Sequence, residues 1–168
     1  GPMTDEGTNT YILGEDKVAV VDPGPLQQSH IDAILDAVGD NIEWVVATHT
    51  HPDHSPAVAP IALATGAQVV GMLPEDTMFQ DQTFQPHWHM QHDEVITGVN
   101  FNLRAIHTPG HVSNHLCFLL EEEGILLAGD HIMNGSTVVI VPPSGDMKAY
   151  IESLQLLSTY PLRKIGPA

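Results

Sequence analysis

The sequence predicts a layered α/β fold. Segments with helical apolar spacing alternate with short runs that are apolar throughout, the pattern of helices packed on buried strands. Turn residues such as Asp22-Pro23-Gly24-Pro25 break one run from the next. No stretch of about 20 apolar residues occurs, so nothing in the sequence spans a membrane. At 168 residues the chain reads as a single domain, 1–168, and a domain of this size buries about 70% of its unfolded surface.

The elements follow in order. Thr8 to Leu13 and Lys17 to Val21 read as strands joined in a hairpin at Gly14-Glu15-Asp16. Ile31, Ile34, Leu35 and Val38 then fall at helical spacing, which predicts an amphipathic helix over Gln27 to Val38, with His30 at the surface. Trp44-Val45-Val46-Ala47 is a buried strand, Pro56 to Ala64 a helix ending at Gly66, and Gln68 to Gly71 a short strand. Leu73 to Gly98, interrupted by Pro74 and Pro86, predicts a surface loop with a short helix at the mouth of a site. Phe101 to Ile106, Leu116 to Leu120 and Leu126 to Asp130 read as strands, and Ser136 to Pro143 borders a pocket. Asp146 to Leu157 predicts a helix started by Gly145-Asp146, its face Met147, Tyr150, Ile151, Leu154 and Leu157 turned to the sheet. Leu162 to Ala168 reads as a last strand.

Thr48-His49-Thr50-His51-Pro52-Asp53-His54 packs three imidazoles and a carboxylate behind a buried strand. Borderline metals such as zinc take imidazole nitrogen and carboxylate oxygen, and a catalytic zinc keeps one position open. Pro52 ends the strand, so Asp53 and His54 can face the same cavity as His49 and His51 from a loop or helix start. Thr108-Pro109-Gly110-His111 supplies a third imidazole from a tight turn beyond a strand. Leu126-Leu127-Ala128-Gly129-Asp130 ends a strand in a carboxylate, with Gly129 permitting close backbone approach. His115 either supports a ligand or only starts a strand, the plainer reading. His87, His89 and His92 suggest a further metal site, but no carboxylate or cysteine completes the spacing; Trp88 or His89 touching substrate is the other use of that stretch. Cys117, the sole cysteine, sits in an apolar strand as a small core residue, excludes an intrachain disulfide and fits a reducing cytoplasm.

These residues resemble the metallo-β-lactamase superfamily, whose H-x-H-x-D-H signature is followed by a later His, an Asp and a final His. The likeness extends to Gly7-Thr8-Asn9-Thr10-Tyr11, Val21-Asp22-Pro23-Gly24 and Ala128-Gly129-Asp130, covers nearly all of the chain, and narrows toward glyoxalase-II-like and lactamase-beta-like hydrolases. It implies a four-layered αβ/βα sandwich with metals at one edge. His49, His51 and His111 would hold the first ion, Asp53 and His54 the second, and Asp130 both. Two zinc ions are expected, with iron or manganese as alternatives. Asp53 would hold and orient the attacking water. Gly1-Pro2-Met3-Thr4 resembles a segment that follows the family's first strand, and the expected final His has no counterpart before Ala168. The resemblance therefore implies a sandwich lacking its first strand and its C-terminal part, although Gly-Pro also fits a protease scar. The missing His should weaken the second ion.

The implied activity is hydrolysis of a small ester, thioester, lactone or phosphoester. True β-lactamases of the superfamily generally lack the bridging aspartate, so His54 together with Asp130 argues against dedicated antibiotic cleavage. Alternatives are an endoribonuclease or weak β-lactamase, a mononuclear iron oxidoreductase resembling persulfide dioxygenases and held by His49, His111 and Asp130, and a metal-binding scaffold without turnover. Flavodiiron oxidases carry Glu where this chain has His51. With 5 Lys and Arg against 21 Asp and Glu the net charge is −16. Long nucleic acid should be repelled, which favours a small-molecule partner.

Overall fold

Strand β2 (Val18–Val21) is apolar and buried at every position, which a strand achieves only in a sheet covered on both faces. A computed structural model describes residues 7–168 and shows that cover. The first sheet has the order β1 (Tyr11–Leu13), β2, β3 (Ile42–Val46), β4 (Gln68–Gly71), β5 (Trp88–His89). β1 is antiparallel to β2, and the remaining neighbours are parallel. The second sheet has the order β10 (Lys164–Pro167), β9 (Ile125–Gly129), β8 (Leu116–Leu120), β7 (Asn102–His107), β6 (Val95–Thr97). Its neighbours are antiparallel except for β10 on β9.

Alternate strand residues face different layers. Ala19, Val21, Trp44, Val46 and Val70 meet Leu103, Ala105, Leu116, Phe118 and Leu127 between the sheets. Val18, Val20, Val45 and Val69 face outward to Ile31 and Ile34 of α1 (Gln28–Val38) and Val58 and Ile61 of α2 (Val58–Thr65). On the far side Ile106, Cys117, Leu119, Leu126 and Ala128 meet Leu157 of α3 (Met147–Leu157). Helix, sheet, sheet, helix is the four-layered sandwich that the resemblance implies. One irregularity refines the register. Val18 pairs with Ile42 but Ala19 with Trp44, so the ladder skips Glu43. The bulge lets Ile42 join the helix side while Trp44 turns between the sheets.

The expected elements need four corrections. The first strand is confined to Tyr11–Leu13 because the residues before it bond elsewhere: the Thr10 hydroxyl donates to the Asp22 carbonyl at 2.9 Å and the Asn9 amide to the Pro167 carbonyl at 3.2 Å. His30 is half-buried rather than a plain surface residue, its Nε2 3.0 Å from the Thr10 hydroxyl. Leu73 to Gly98 holds no helix; it extends the first sheet with β5 and opens the second with β6. In α3, Met147, Ile151 and Leu154 are exposed, and the buried positions are Ser153 and Leu157. Hydrogen bonds turn the helix this way: Ser153 Oγ donates to the Pro109 carbonyl at 2.7 Å and Tyr150 Oη to the His131 carbonyl at 3.0 Å. Gly1 to Thr4 lie outside the described residues. Among those described, no helix is long and apolar enough to cross a membrane.

Candidate metal centre

Parallel strands deliver their C-terminal ends to one edge of a sheet. Here β2 ends at Asp22, β3 runs into Thr48 to His54, β7 into Thr108 to His111, and β9 into Asp130. β8 starts at the same edge behind His115, and Leu116 N–H donates to the Thr48 carbonyl at 2.7 Å, tying the two sheets together there. All six side chains singled out in the sequence therefore meet. Two groups share one carboxylate: His49, His51, His111 and Asp130, and Asp53, His54 and Asp130, with one ligand atom per residue within 4.8 Å of the others in each group.

Asp130 divides between the groups. Its Oδ2 lies 3.4 Å from His111 Nε2 and 3.9 Å from His49 Nε2. Its Oδ1 lies 3.1 Å from His54 Nε2, which is also 3.6 Å from Asp53 Oδ2. Burial works to raise the Asp130 carboxyl, but contact with His54 and the charges of His54, His111 and His115 hold it down at about 2.

Hydrogen bonds behind the imidazoles decide which nitrogen faces inward. Asp22, buried and at φ 51°, accepts from Thr48 N–H and Thr48 Oγ1–H, both at 2.7 Å, and from His54 Nδ1–H at 2.9 Å. With its proton committed to Asp22, Thr48 Oγ1 can only accept from His49 Nδ1–H, 3.0 Å away. The Val139 carbonyl likewise accepts from His111 Nδ1–H. His49 and His111 therefore each turn an unprotonated Nε2 to the centre, and the Asp22 bond aims His54 Nε2 the same way, the tautomer logic of metal-binding histidines.

These residues fit a metal ion. His51 Nδ1 lies 3.2 Å from His49 Nε2 and 3.0 Å from His111 Nε2, and one nitrogen with at most one proton cannot satisfy both neighbours, whereas a cation accepts all three lone pairs. His54 Nε2 is buried without hydrogen-bond geometry to any partner. Burial, then repulsion among neighbouring imidazoles, pushes His49 well below the ordinary 6.5 and His51 down to about 4, which keeps both in the neutral form that a metal requires. His54 goes the other way. Burial would lower it, but the Asp22 and Asp130 carboxylates outweigh burial and raise it well above 6.5.

His115 does more than start a strand. It is fully buried; its Nε2 accepts the Asp130 backbone N–H at 3.2 Å, and its Nδ1 donates to Thr108 Oγ1 at 2.8 Å. Gly129, at φ +50°, passes so close that a Cβ there would stand 2.6 Å from His115 Nε2 and 2.8 Å from Thr48 Oγ1. Only glycine lets Asp130 be presented at this point. His87 and His92 serve the fold. His87 Nδ1 accepts Val69 N–H, and His92 Nδ1 accepts His107 N–H. Trp88 donates its indole N–H to Glu94, and His89 lies exposed on β5; neither lines the cavity over the cluster. Asp22, Thr48 and Thr108 were missed as positioning residues. The signal available for Asp22 was an aspartate directly behind an all-apolar strand, which Pro23-Gly24 disguised as a simple break.

The sequence family described as the metallo-beta-lactamase superfamily matches residues 3–168. Among curated proteins, the chain is 31% identical over 164 residues to an atrochrysone carboxyl ACP thioesterase of Passalora fulva, covering 92% of this chain and 46% of that protein. It is 34% identical over 158 residues to the lactamase-like protein adaB of Aspergillus niger, covering 92% and 47%. The chain thus spans about half the length of the curated relatives it matches. Among solved structures, TTHA1623 in a di-iron-bound form superposes with a TM-score of 0.80 at 23% identity, covering 100% of this chain and 88% of that one. ETHE1 from Myxococcus xanthus superposes with a TM-score of 0.78 at 23% identity, covering 96% and 70%. At these identities the structures speak for the fold. With the family match running over almost the whole length, this chain belongs to the metallo-beta-lactamase superfamily.

Proposed function

We propose that the chain is the metal-binding catalytic portion of a binuclear zinc hydrolase that cleaves a thioester or related ester of a small molecule. The observation that carries this is the divided Asp130 carboxylate, one oxygen toward His49 and His111 and the other toward His54. His49, His51, His111 and Asp130 would hold one ion, and Asp53, His54 and Asp130 the other. Zinc held by these residues would lower the pKa of a water molecule toward neutrality and polarise a carbonyl. Asp53, with its side chain 40% exposed, borders the cavity. Its carboxylate would accept a proton from the attacking water and pass it to the leaving thiol. The thioesterase names of relatives that match most of the chain support the thioester.

Turnover of S-acyl-N-acetylcysteamine thioesters by zinc-loaded protein tests the reading. His51→Ala should lower kcat/KM by at least about a hundredfold, since even residues behind metal ligands cost about 10–100-fold. A protein that carries iron, consumes oxygen with a persulfide and hydrolyses no thioester would replace it with the oxidoreductase. Against that alternative stands His51, whose Nδ1 meets both His49 and His111.

A further inference from the structure

The cluster opens into a cavity of about 910 Å³, far more than a scissile ester occupies. Two apolar stretches wall it: Met78 and Phe79, 53% and 73% exposed, and Val139, Val141, Pro142 and Pro143, the two valines 44% and 56% exposed. Large exposed apolar side chains beside a polar centre mark a ligand-binding surface. Phe79 also holds φ at 62°, a region that bulky residues avoid, so an aromatic ring lines the cavity at a strained backbone position.

Both walls are tied to the centre. The Val139 carbonyl accepts from His111 Nδ1–H. The loop behind Phe79 is fastened to Thr50, between His49 and His51: the Thr50 hydroxyl donates to Gln80 Oε1 at 2.5 Å and Asp81 N–H to the Thr50 carbonyl at 2.7 Å. The apolar surfaces are therefore held at a set position relative to the ligand atoms. The charged residues of the lining are acidic, Asp53, Asp76 and Asp130, besides the two histidines. The cations of the chain, Lys17, Arg104, Lys148, Arg163 and Lys164, all lie elsewhere.

We infer that this cavity selects the acyl side of the substrate: an extended, uncharged, apolar acyl group, alkyl or aryl, gripped between Met78-Phe79 and Val139 to Pro143 while its carbonyl meets the cluster. The inference rests on the hydrolase reading and adds the substrate class to it. Anionic acyl groups find acids and no cation beyond the metal site. Each buried methylene is worth about three- to fourfold in binding.

Calorimetry on the zinc-loaded chain, with ketones that carry a methylene in place of the thioester sulfur, reads binding without turnover. The octanoyl ketone should bind at least about tenfold tighter than the acetyl one, and a ketone ending in a carboxylate should bind more weakly than its uncharged counterpart. Phe79→Ala and Val141→Asp, both at exposed positions, should each remove most of the octanoyl advantage while zinc content stays at the wild-type level. Equal binding of octanoyl and acetyl ketones, preference for the carboxylate, or an undiminished advantage in both variants would overturn the inference. Thioester turnover measured in parallel separates the two readings. No hydrolysis of any thioester or ester with the ketone preference intact sinks the hydrolase and supports the apolar site; hydrolysis without chain-length preference does the reverse.

Discussion

Asp22 illustrates how much of the centre is set by residues that touch no ligand position. One buried carboxylate accepts three hydrogen bonds and orients two histidines, His54 directly and His49 through Thr48, so that their Nε2 atoms face inward. Asp22→Ala strips the partner from a buried imidazole, a change that typically costs about 3–5 kcal/mol. Urea denaturation should show that loss, together with metal affinity weakened about 10–100-fold. Cys117 stands at the inert extreme. It is fully buried, and burial, outweighing a hydrogen bond from Thr108, pushes its thiol up to about 12. At pH 8 the folded chain should resist a thiol reagent and react with one equivalent only on unfolding; rapid labelling of the native protein would contradict the packing described. The ligand-type residues were legible in the sequence because each stands directly behind an apolar strand or in its Pro-Gly turn. The supporting use of His115 was one of two readings the sequence left open, and the positioning roles of Asp22 and Thr48 were not legible, because a hydrogen bond between residues 26 or 32 positions apart leaves no local pattern.

At the scale of elements, periodicity succeeded where burial is uniform and failed where polar bonds override it. The β4 limits, Gln68–Gly71, and the α1 core face, Ile31 and Ile34, follow directly from apolar spacing. The apolar stripe of α3 pointed the wrong way because Ser153 and Tyr150 fasten the helix to the Pro109 and His131 carbonyls. β5 and β6, of two and three residues, are too short to carry a period, so their pairing is a tertiary event. The start of α3 was readable: the Asp146 side chain accepts Ala149 N–H at 3.1 Å, and Asp146 N–H donates to the Gly110 carbonyl at 2.8 Å beside His111. Asp146→Ala keeps the second bond and loses the first, so stability should fall by about 1 kcal/mol in chemical denaturation. A loss near zero would mean that the cap is idle.

For the molecule as a whole, the layers explain why the centre sits where it does. Two sheets pack through one apolar interior, and their strand ends converge at an edge where the first sheet contributes His49, His51, Asp53 and His54 and the second His111 and Asp130. Metal held there joins the sheets, so removing it should loosen the whole fold. With free zinc at about 100 times Kd, linkage adds about 2.7 kcal/mol, and the melting temperature should fall on chelation and return on adding zinc. Two divalent ions at that edge would offset part of the −16 charge. The measurement that tests the central claim most directly is metal stoichiometry by plasma mass spectrometry, on protein purified without added metal, for the wild-type chain and Asp130→Ala. Two ions per chain, falling to one or fewer when the shared carboxylate is removed, is the predicted result. A chain that holds no metal, or one whose content Asp130→Ala leaves unchanged, would contradict a centre built on Asp130.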